Sequence, residues 1–329
     1  MLQRGLVSSY VERRTELFFS LAGFHNDMFT SNDPEKIIEF LNGFSNRESM
    51  VQWMKDRPKG TPYIHEVEGN KKVIVVIPTA DFYGKFAKEC RENVFKGLHM
   101  VFVESGARTD FYFNFSHYVN AGINKAMEYN PNWIVVTGDD MRKIDDPEIL
   151  VEALSKINPL QIQVVFTKPS PDGYHSKPAY FGRPNFLGKM YLSWIRHTNI
   201  APYDFWIYLH KWNGLIEKFG INVILLPRHF VSKIFFKRIK PVILTMSLSI
   251  FSCSFVKSEK CNVFNETFIN GAEDWDLCWR IFCNGISYAF IDYKIGEQSG
   301  GTLGTGGKRA IRDIANVAYF NLLYENDFK

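Results

Sequence analysis

Cysteine is scarce and poorly spaced for structural work: the chain has five in 329 residues, at 90, 253, 261, 278 and 283, with no Cys-x-x-Cys pair. An odd, scattered set excludes a disulfide framework and a zinc knuckle and fits a reducing compartment. Long apolar runs are also missing, and none reaches the roughly 18 residues that a membrane span needs. Charge of one sign is nearly absent in excess: the net is +4, without the concentrated basic stripe of a nucleic-acid binder, so no nucleic-acid partner is expected. Arg4, Glu12, Arg13, Arg14 and Glu16 interrupt the first 25 residues, and no cleaved leader is expected there. These absences lead us to expect a cytoplasmic protein. One stretch suits the inner face of a membrane: in residues 232–251, Lys233, Lys237, Arg238 and Lys240 interleave with Ile234, Phe235, Phe236 and Ile239.

What is present is core material. Hydrophobic residues make up 46% and aromatics 16% of the chain, enough to exclude general disorder. Apolar runs at 72–79, 98–103, 132–137 and 161–167 read as strands, and helical patterns at 81–95, 115–129 and 147–157 alternate with them. That alternation predicts an α/β fold with a Rossmann-like, mostly parallel sheet flanked by helices. Residues 1–70 read as an N-terminal helical extension, with helices over 10–24 and from Pro34, the second capped by Asn32 or Asp33. The main domain then covers 71–329, divided near 160 into a nucleotide-binding half and an acceptor or catalytic half. In the second half, 168–188 reads as an irregular loop, 191–219 as a helix carrying Trp194, Trp206 and Trp212, and 221–226 as a strand.

Two acidic constellations stand out. The run Asn132-Trp-Ile-Val-Val-Thr-Gly-Asp-Asp-Met141 puts Asp139 and Asp140 at the carboxyl end of a strand covered on both faces, the edge where open α/β sheets bind ligands. Adjacent carboxylates repel, and a hard divalent cation with oxygen ligands relieves them; a plain polar turn is the structural alternative. Later, Glu273, Asp274 and Asp276 cluster at a helix start between Gly271 and Trp279, with Trp275 among them. Asp274 beside Trp275 suits a general base toward an acceptor hydroxyl, whereas helix-start acids can also serve only the helix dipole. Arg280 is read as an internal ion-pair partner, and Asp145 or Asp146 as a helix cap before Pro147.

Taken in order, Val-Ile-Val-Val-Ile-Pro-Thr79, Val-Glu-Ser-Gly-Ala-Arg-Thr-Asp110, Asn120-Ala-Gly-Ile-Asn-Lys-Ala126, Thr-Gly-Asp-Asp140 and Asn-Gly-Ala-Glu-Asp-Trp-Asp-Leu-Cys-Trp-Arg280 resemble a family 2 type GT-A glycosyltransferase over about residues 72–325. The resemblance implies an inverting, metal-dependent enzyme using a nucleoside diphosphate sugar, with a UDP-sugar favoured. It implies that Pro78, Thr79, Ala80, Glu104 and Asp110 hold the nucleoside, Glu104 standing where the family usually has aspartate. Asp139 and Asp140 would bind Mn2+ or Mg2+, Asp140 more directly; Asp274 would be the base, and Glu273 and Trp275 would border the acceptor, which is a glycan, a lipid-linked sugar or a protein. The family's histidine after the last strand is missing, and Lys294 or Glu297 stands near its place. The glycines at 300, 301, 304, 306 and 307 read as a lid, with Lys308 and Arg309 available to phosphate. Two rival readings are a sugar-nucleotide nucleotidyltransferase, which lacks its Gly-rich phosphate loop here because Thr79-Ala-Asp-Phe-Tyr83 follows the first strand, and a non-catalytic protein on the same scaffold.

Overall fold

The computed structural model describes residues 33–105, 112–168, 177–194, 196, 198–200, 206–209, 234–244, 248–297 and 307–328. The first helix, α1 (Pro34–Asn42), starts where its capping pattern says: Asp33 accepts a hydrogen bond from the Glu35 amide at 3.0 Å, and Pro34 fills the first turn. In α2 (Arg47–Asp56), Asn46 and Ser49 form a reciprocal capping box. Both helices bury one side, Ile37 and Leu41 from the first and Met50 and Met54 from the second, against the last helix of the chain. The 1–70 region is not helical throughout. Tyr63–Val67 forms β1, which turns at Gly69 into β2 (Asn70–Thr79). A Cβ at Gly69 would lie 2.3 Å from the Leu98 backbone, so the turn needs glycine for close approach. The helix expected over 10–24 lies outside the described residues.

After β2 come α3 (Lys85–Glu89), which runs into a π-helical turn at Cys90–Val94, then β3 (Leu98–Glu104), α4 (Phe115–Met127), β4 (Trp133–Val136), the short β5 (Met141–Lys143), α5 (Pro147–Ser155) and β6 (Val164–Thr167). The second half supplies β7 (Lys177–Pro184), α6 (Phe186–Trp194), β8 (Trp206–Leu209), β9 (Phe236–Leu244), β10 (Ser249–Ser252), α7 (Cys253–Ser258), α8 (Glu273–Cys283), β11 (Tyr288–Ile291), β12 (Ile295–Glu297) and α9 (Gly307–Tyr324). Among the described residues, seven strands form the central sheet in the order β1-β3-β2-β4-β10-β6-β11. β2 pairs in parallel with both β3 and β4, β6 with β11, while β10 lies antiparallel between β4 and β6 and β1 antiparallel on β3. Five strands therefore point one way and two the other, a mixed α/β sheet compatible with a Rossmann-like fold.

The reason is legible in β2. Alternate residues point to opposite faces of a strand, and here both faces are covered. Val73, Val75 and Ile77 join Val94, Phe95, Leu150 and Leu154 in one core, while Ile74 and Val76 join Tyr118, Val119 and Ile123 in the other. A Cβ on Gly122 of α4 would lie 2.5 Å from a Val76 methyl and 2.7 Å from a Val103 methyl, so this helix sits close against the sheet because glycine lets it.

Residues 168–188 and 191–219 depart from expectation. Lys177–Pro184 is a strand, not irregular loop; helix α6 ends at Trp194; and Trp206–Leu209 is a strand where helix was expected. β8, β7 and β9 make a separate antiparallel sheet in that order, and the basic 232–251 stretch contributes β9 to it. Its buried Phe181 stacks on Phe320 of α9 with centroids 5.2 Å apart and meets the Trp279 edge at 4.6 Å. Residues 221–226 lie outside the described residues. No helix among the described residues is long and apolar enough to cross a membrane.

The packing at Gly122 is testable. Gly122→Ala should gain up to about 1 kcal/mol of helix propensity yet lose roughly 1–3 kcal/mol to overpacking. A lower urea midpoint is the expected result, and a higher one would contradict the close helix–sheet contact.

Candidate active site

The carboxyl ends of β2, β3 and β4 meet at one edge. Parallel registers align Thr79 with Glu104 and Val76 with Val136, and the Ser105 amide donates to the Thr79 carbonyl at 3.0 Å. The chain then turns, and the Thr79 hydroxyl donates to Asp139 Oδ2 at 2.7 Å. Thr79 thus touches the acidic pair, with Pro78 and Ala80 on either side of it in the chain and Glu104 level with it on β3. Asp110 lies outside the described residues. A Cβ at Gly138 would lie 2.7 Å from Asp140 Oδ1, so this glycine leaves room for the second carboxylate to fold back.

Burial pushes the Asp139 carboxyl above the ordinary value; the Thr79 hydrogen bond pulls the other way, and the neighbouring Asp140 charge pushes up again. Burial also raises Asp140. Cys90 sits behind them, its thiol 3.3 Å from the Asp139 carbonyl. Burial and the Asp139 charge keep that thiol protonated, which removes it as a nucleophile.

The strand after the last core strand returns to the same place. β12 pairs antiparallel with β5, setting Glu297 opposite Met141 and Ile295 opposite Lys143. Glu297 therefore lies across from Met141, the neighbour of Asp140, while Lys294 lies beside Asp145. Asp145 is a latch, not a cap: its carboxylate accepts from the Lys294 amide at 2.7 Å, and its own amide donates to the Lys294 carbonyl at 3.1 Å. Asp146 holds the N-cap position of α5 but makes no side-chain cap; it ion-pairs with Lys143 instead.

Glu104 has a partner that sequence reasoning missed. His65 of edge strand β1 meets its carboxylate with Nε2 at 2.6 Å and stacks on Phe82, ring centroids 4.3 Å apart and planes 6° from parallel. Arg91 lies over the same Phe82 ring at 4.3 Å, and Tyr83 next to it is 80% exposed. The strand-favouring Tyr63, Ile64 and Val67 were the available signal for a strand there.

The second constellation reaches the same edge through an asparagine clasp. Asn114 caps α4 and donates to the carbonyls of Glu266 and Phe268, both at 3.0 Å; Asn270 accepts from the Phe115 amide at 2.8 Å and donates to the Phe113 carbonyl at 2.9 Å. The start of α8 is thereby tied to the start of α4, which follows β3. Asn270 and Ala272 flank Gly271 with left-handed φ values of 53° and 62°. Such strain costs roughly 1–3 kcal/mol per residue and often marks functional sites. A Cβ at Gly271 would lie 2.3 Å from Asp313 Oδ1, so α9 packs directly on this turn.

Within the cluster the acids divide. Asp276 is 1% exposed and accepts from Arg280 Nε at 3.0 Å and from the Tyr324 hydroxyl at 2.6 Å, and Arg280 also reaches Glu259 at 2.6 Å and the Val263 carbonyl. Asp276 and Arg280 are structural. Asp274 is only partly buried, its Oδ1 accepting from the Trp275 amide at 3.0 Å. Glu273 opens the helix partly buried, and Trp275 leans edge-on toward Phe320 of α9 with centroids 6.2 Å apart.

Among the described residues no three His, Cys, Asp or Glu side chains gather into a metal cage. Mg2+ and Mn2+ are hard ions commonly held by one or two carboxylates together with substrate phosphate oxygens, and Asp139 and Asp140 fit that donor set. No protein-family model matches this chain, and no curated protein matches it.

Two outcomes follow from the electrostatics. A carboxyl raised on folding stabilises the protein when protonated and costs stability as the pH climbs above about 4. In chelator, Asp140→Asn should therefore raise Tm at pH 7, with the gain shrinking as the pH falls toward about 4 and gone below it; a pH-independent difference would disprove the burial effect. Asp276→Asn weakens charged hydrogen bonds to Arg280 and should cost roughly 1.5–3 kcal/mol in denaturant unfolding.

Proposed function

We propose that this chain is a metal-dependent GT-A type glycosyltransferase that moves a sugar from a nucleoside diphosphate sugar to a hydroxyl acceptor with inversion. Two observations support the reading: Asp139–Asp140, anchored by Thr79, stand at the carboxyl edge of the sheet, and the asparagine clasp ties the strained start of α8, which bears Asp274, to the start of α4. The topology supports it: ligands of open α/β sheets bind outside the carboxyl ends of the strands.

Each group then has a task. Pro78, Thr79, Ala80 and Glu104 border the nucleoside, with UDP favoured, and His65 fixes the Glu104 carboxylate. Asp140, with Asp139 behind it, faces the diphosphate. When bound there, Mn2+ or Mg2+ neutralises the charge gathering on the leaving diphosphate. Asp274 accepts the acceptor's proton as the hydroxyl oxygen attacks the anomeric carbon; the bond to the diphosphate breaks with its electron pair leaving on the diphosphate oxygen. A single displacement from the opposite side inverts that carbon. A helix N-terminus favours a carboxylate, and the Trp275 amide orients this one. Glu273 and Trp275 border the acceptor, whose class remains glycan, lipid-linked sugar or protein.

Thermal shift against nucleoside diphosphate sugars with Mn2+ should reveal a donor, a saturating ligand at 100 times its Kd adding about 2.7 kcal/mol of stability. Asp140→Ala should abolish the Mn2+-dependent part of that shift. Asp274→Asn should keep the shift while turnover falls about 10²- to 10⁴-fold; near-normal turnover would remove Asp274 from the mechanism. Without acceptor, slow release of free sugar supports transfer; with added pyrophosphate, formation of nucleoside triphosphate and sugar 1-phosphate would favour a nucleotidyltransferase, and neither product would favour a non-catalytic protein.

A further inference from the structure

Helix α6 turns its most apolar side outward. At about 100° per residue, Phe186, Leu187, Met190, Tyr191 and Trp194 fall within one arc of about 140°. That arc faces solvent: Trp194 is 83%, Phe186 76% and Met190 57% exposed. Gly188 and Leu192 on the opposite side are buried. Gly188 permits the close seat, since a Cβ there would lie 2.2 Å from the Phe235 carbonyl oxygen. The helix is held firmly in this orientation. Asn185 accepts from the Gly188 amide at 2.9 Å and donates its own amide to the Phe235 carbonyl at 2.9 Å, and Tyr191 stacks on Phe235 at 5.0 Å. Ile234 extends the apolar face.

Among the described residues, the charged side chains on α6 and on the strands β7 and β9 beside it are basic. Lys189 is exposed on the flank of the helix, and Lys237 is exposed on β9, in register with Arg183 on β7. Residues 177–200 and 234–258 contain no Asp or Glu, although the chain as a whole has 35. An outward stripe of Trp, Phe, Tyr, Met and Leu rimmed by lysine matches the physical demands of a lipid headgroup boundary, where aromatic rings sit at the interface and cations meet phosphate. Protein interfaces enrich the same aromatic side chains, so it is the basic charge beside this face that favours an anionic lipid surface.

We propose that this face docks reversibly on an anionic lipid bilayer, with Phe186, Met190 and Trp194 entering the headgroup–acyl boundary and Lys189 and Lys237 meeting lipid phosphate. The surface centres on α6, not on the basic 232–251 stretch alone, which supplies Ile234, Phe235 and Lys237 at its border. Docking is independent of the catalytic reading, and its test involves no sugar transfer.

The test is sedimentation of the full chain with vesicles of phosphatidylcholine alone or with about 30% phosphatidylserine. Binding to the anionic vesicles is expected to exceed binding to the neutral ones about tenfold and to weaken as salt rises from about 0.1 M to about 0.5 M. Phe186→Ser with Met190→Ser and Trp194→Ser should abolish binding, and Lys189→Glu with Lys237→Glu should lower it about tenfold. The circular dichroism of these variants should be unchanged because the side chains point outward. Should the triple variant misfold, Trp194→Ser alone must still lower binding severalfold. Equal recovery with both vesicle types, no binding to either, or wild-type binding by the triple variant overturns the proposal. So does a wild-type protein that self-associates without binding vesicles while the triple variant is monomeric, because the face then belongs to a second copy of the chain.

Discussion

Strand β2 is the member on which the architecture depends. Val73–Ile77 is closed to water on both faces and hydrogen-bonded to parallel neighbours along both edges. A slip of one residue would exchange the two faces and put each side chain in the wrong core. Because the register is so tightly held, Thr79 emerges at one defined height, level with Glu104 and within hydrogen-bonding reach of Asp139. Polar groups from three separate strands meet at an edge whose position the apolar core has fixed. The acidic pair needs no long loop to place it.

A second constraint joins the late part of the chain to this frame. The Asn114 and Asn270 side chains satisfy backbone groups of each other's loops. Their amides offer both donors and acceptors, so one residue type serves each side of the clasp. The left-handed backbone at Asn270 and Ala272 is unfavourable alone, and the hydrogen bonds of the clasp and the α9 contact at Gly271 hold it in place. The start of α8 is therefore as firmly located as the strand ends.

The two acidic clusters differ in how their charge is met. Asp276 is deeply buried but answered by Arg280 and the Tyr324 hydroxyl, with Glu259 completing the network. Asp139 and Asp140 are held above the ordinary carboxyl range, chiefly by burial, and for Asp139 the modulating neighbours are a hydroxyl and another acid. The first arrangement is internally balanced, whereas in the second burial leaves both carboxyls raised.

Local chemistry was readable from the chain itself. The both-faces-buried strands at 73–77, 98–103 and 133–136, the Asp33–Pro34 helix start, the glycine ending α8 and the position of Asp139–Asp140 at a strand terminus all rest on neighbours a few residues apart. The internal role of Arg280 followed from helical spacing to Asp276. Long-range pairing was not readable. Only the folded chain decided that Tyr63–Val67 would edge the sheet and bring His65 to Glu104, that β10 would enter antiparallel, that Lys177–Pro184 would find β8 and β9, and that Asp145 would latch Lys294 rather than cap a helix. A short apolar segment records its wish to be buried but not its partner, because that choice depends on which surfaces other, distant segments have left uncovered.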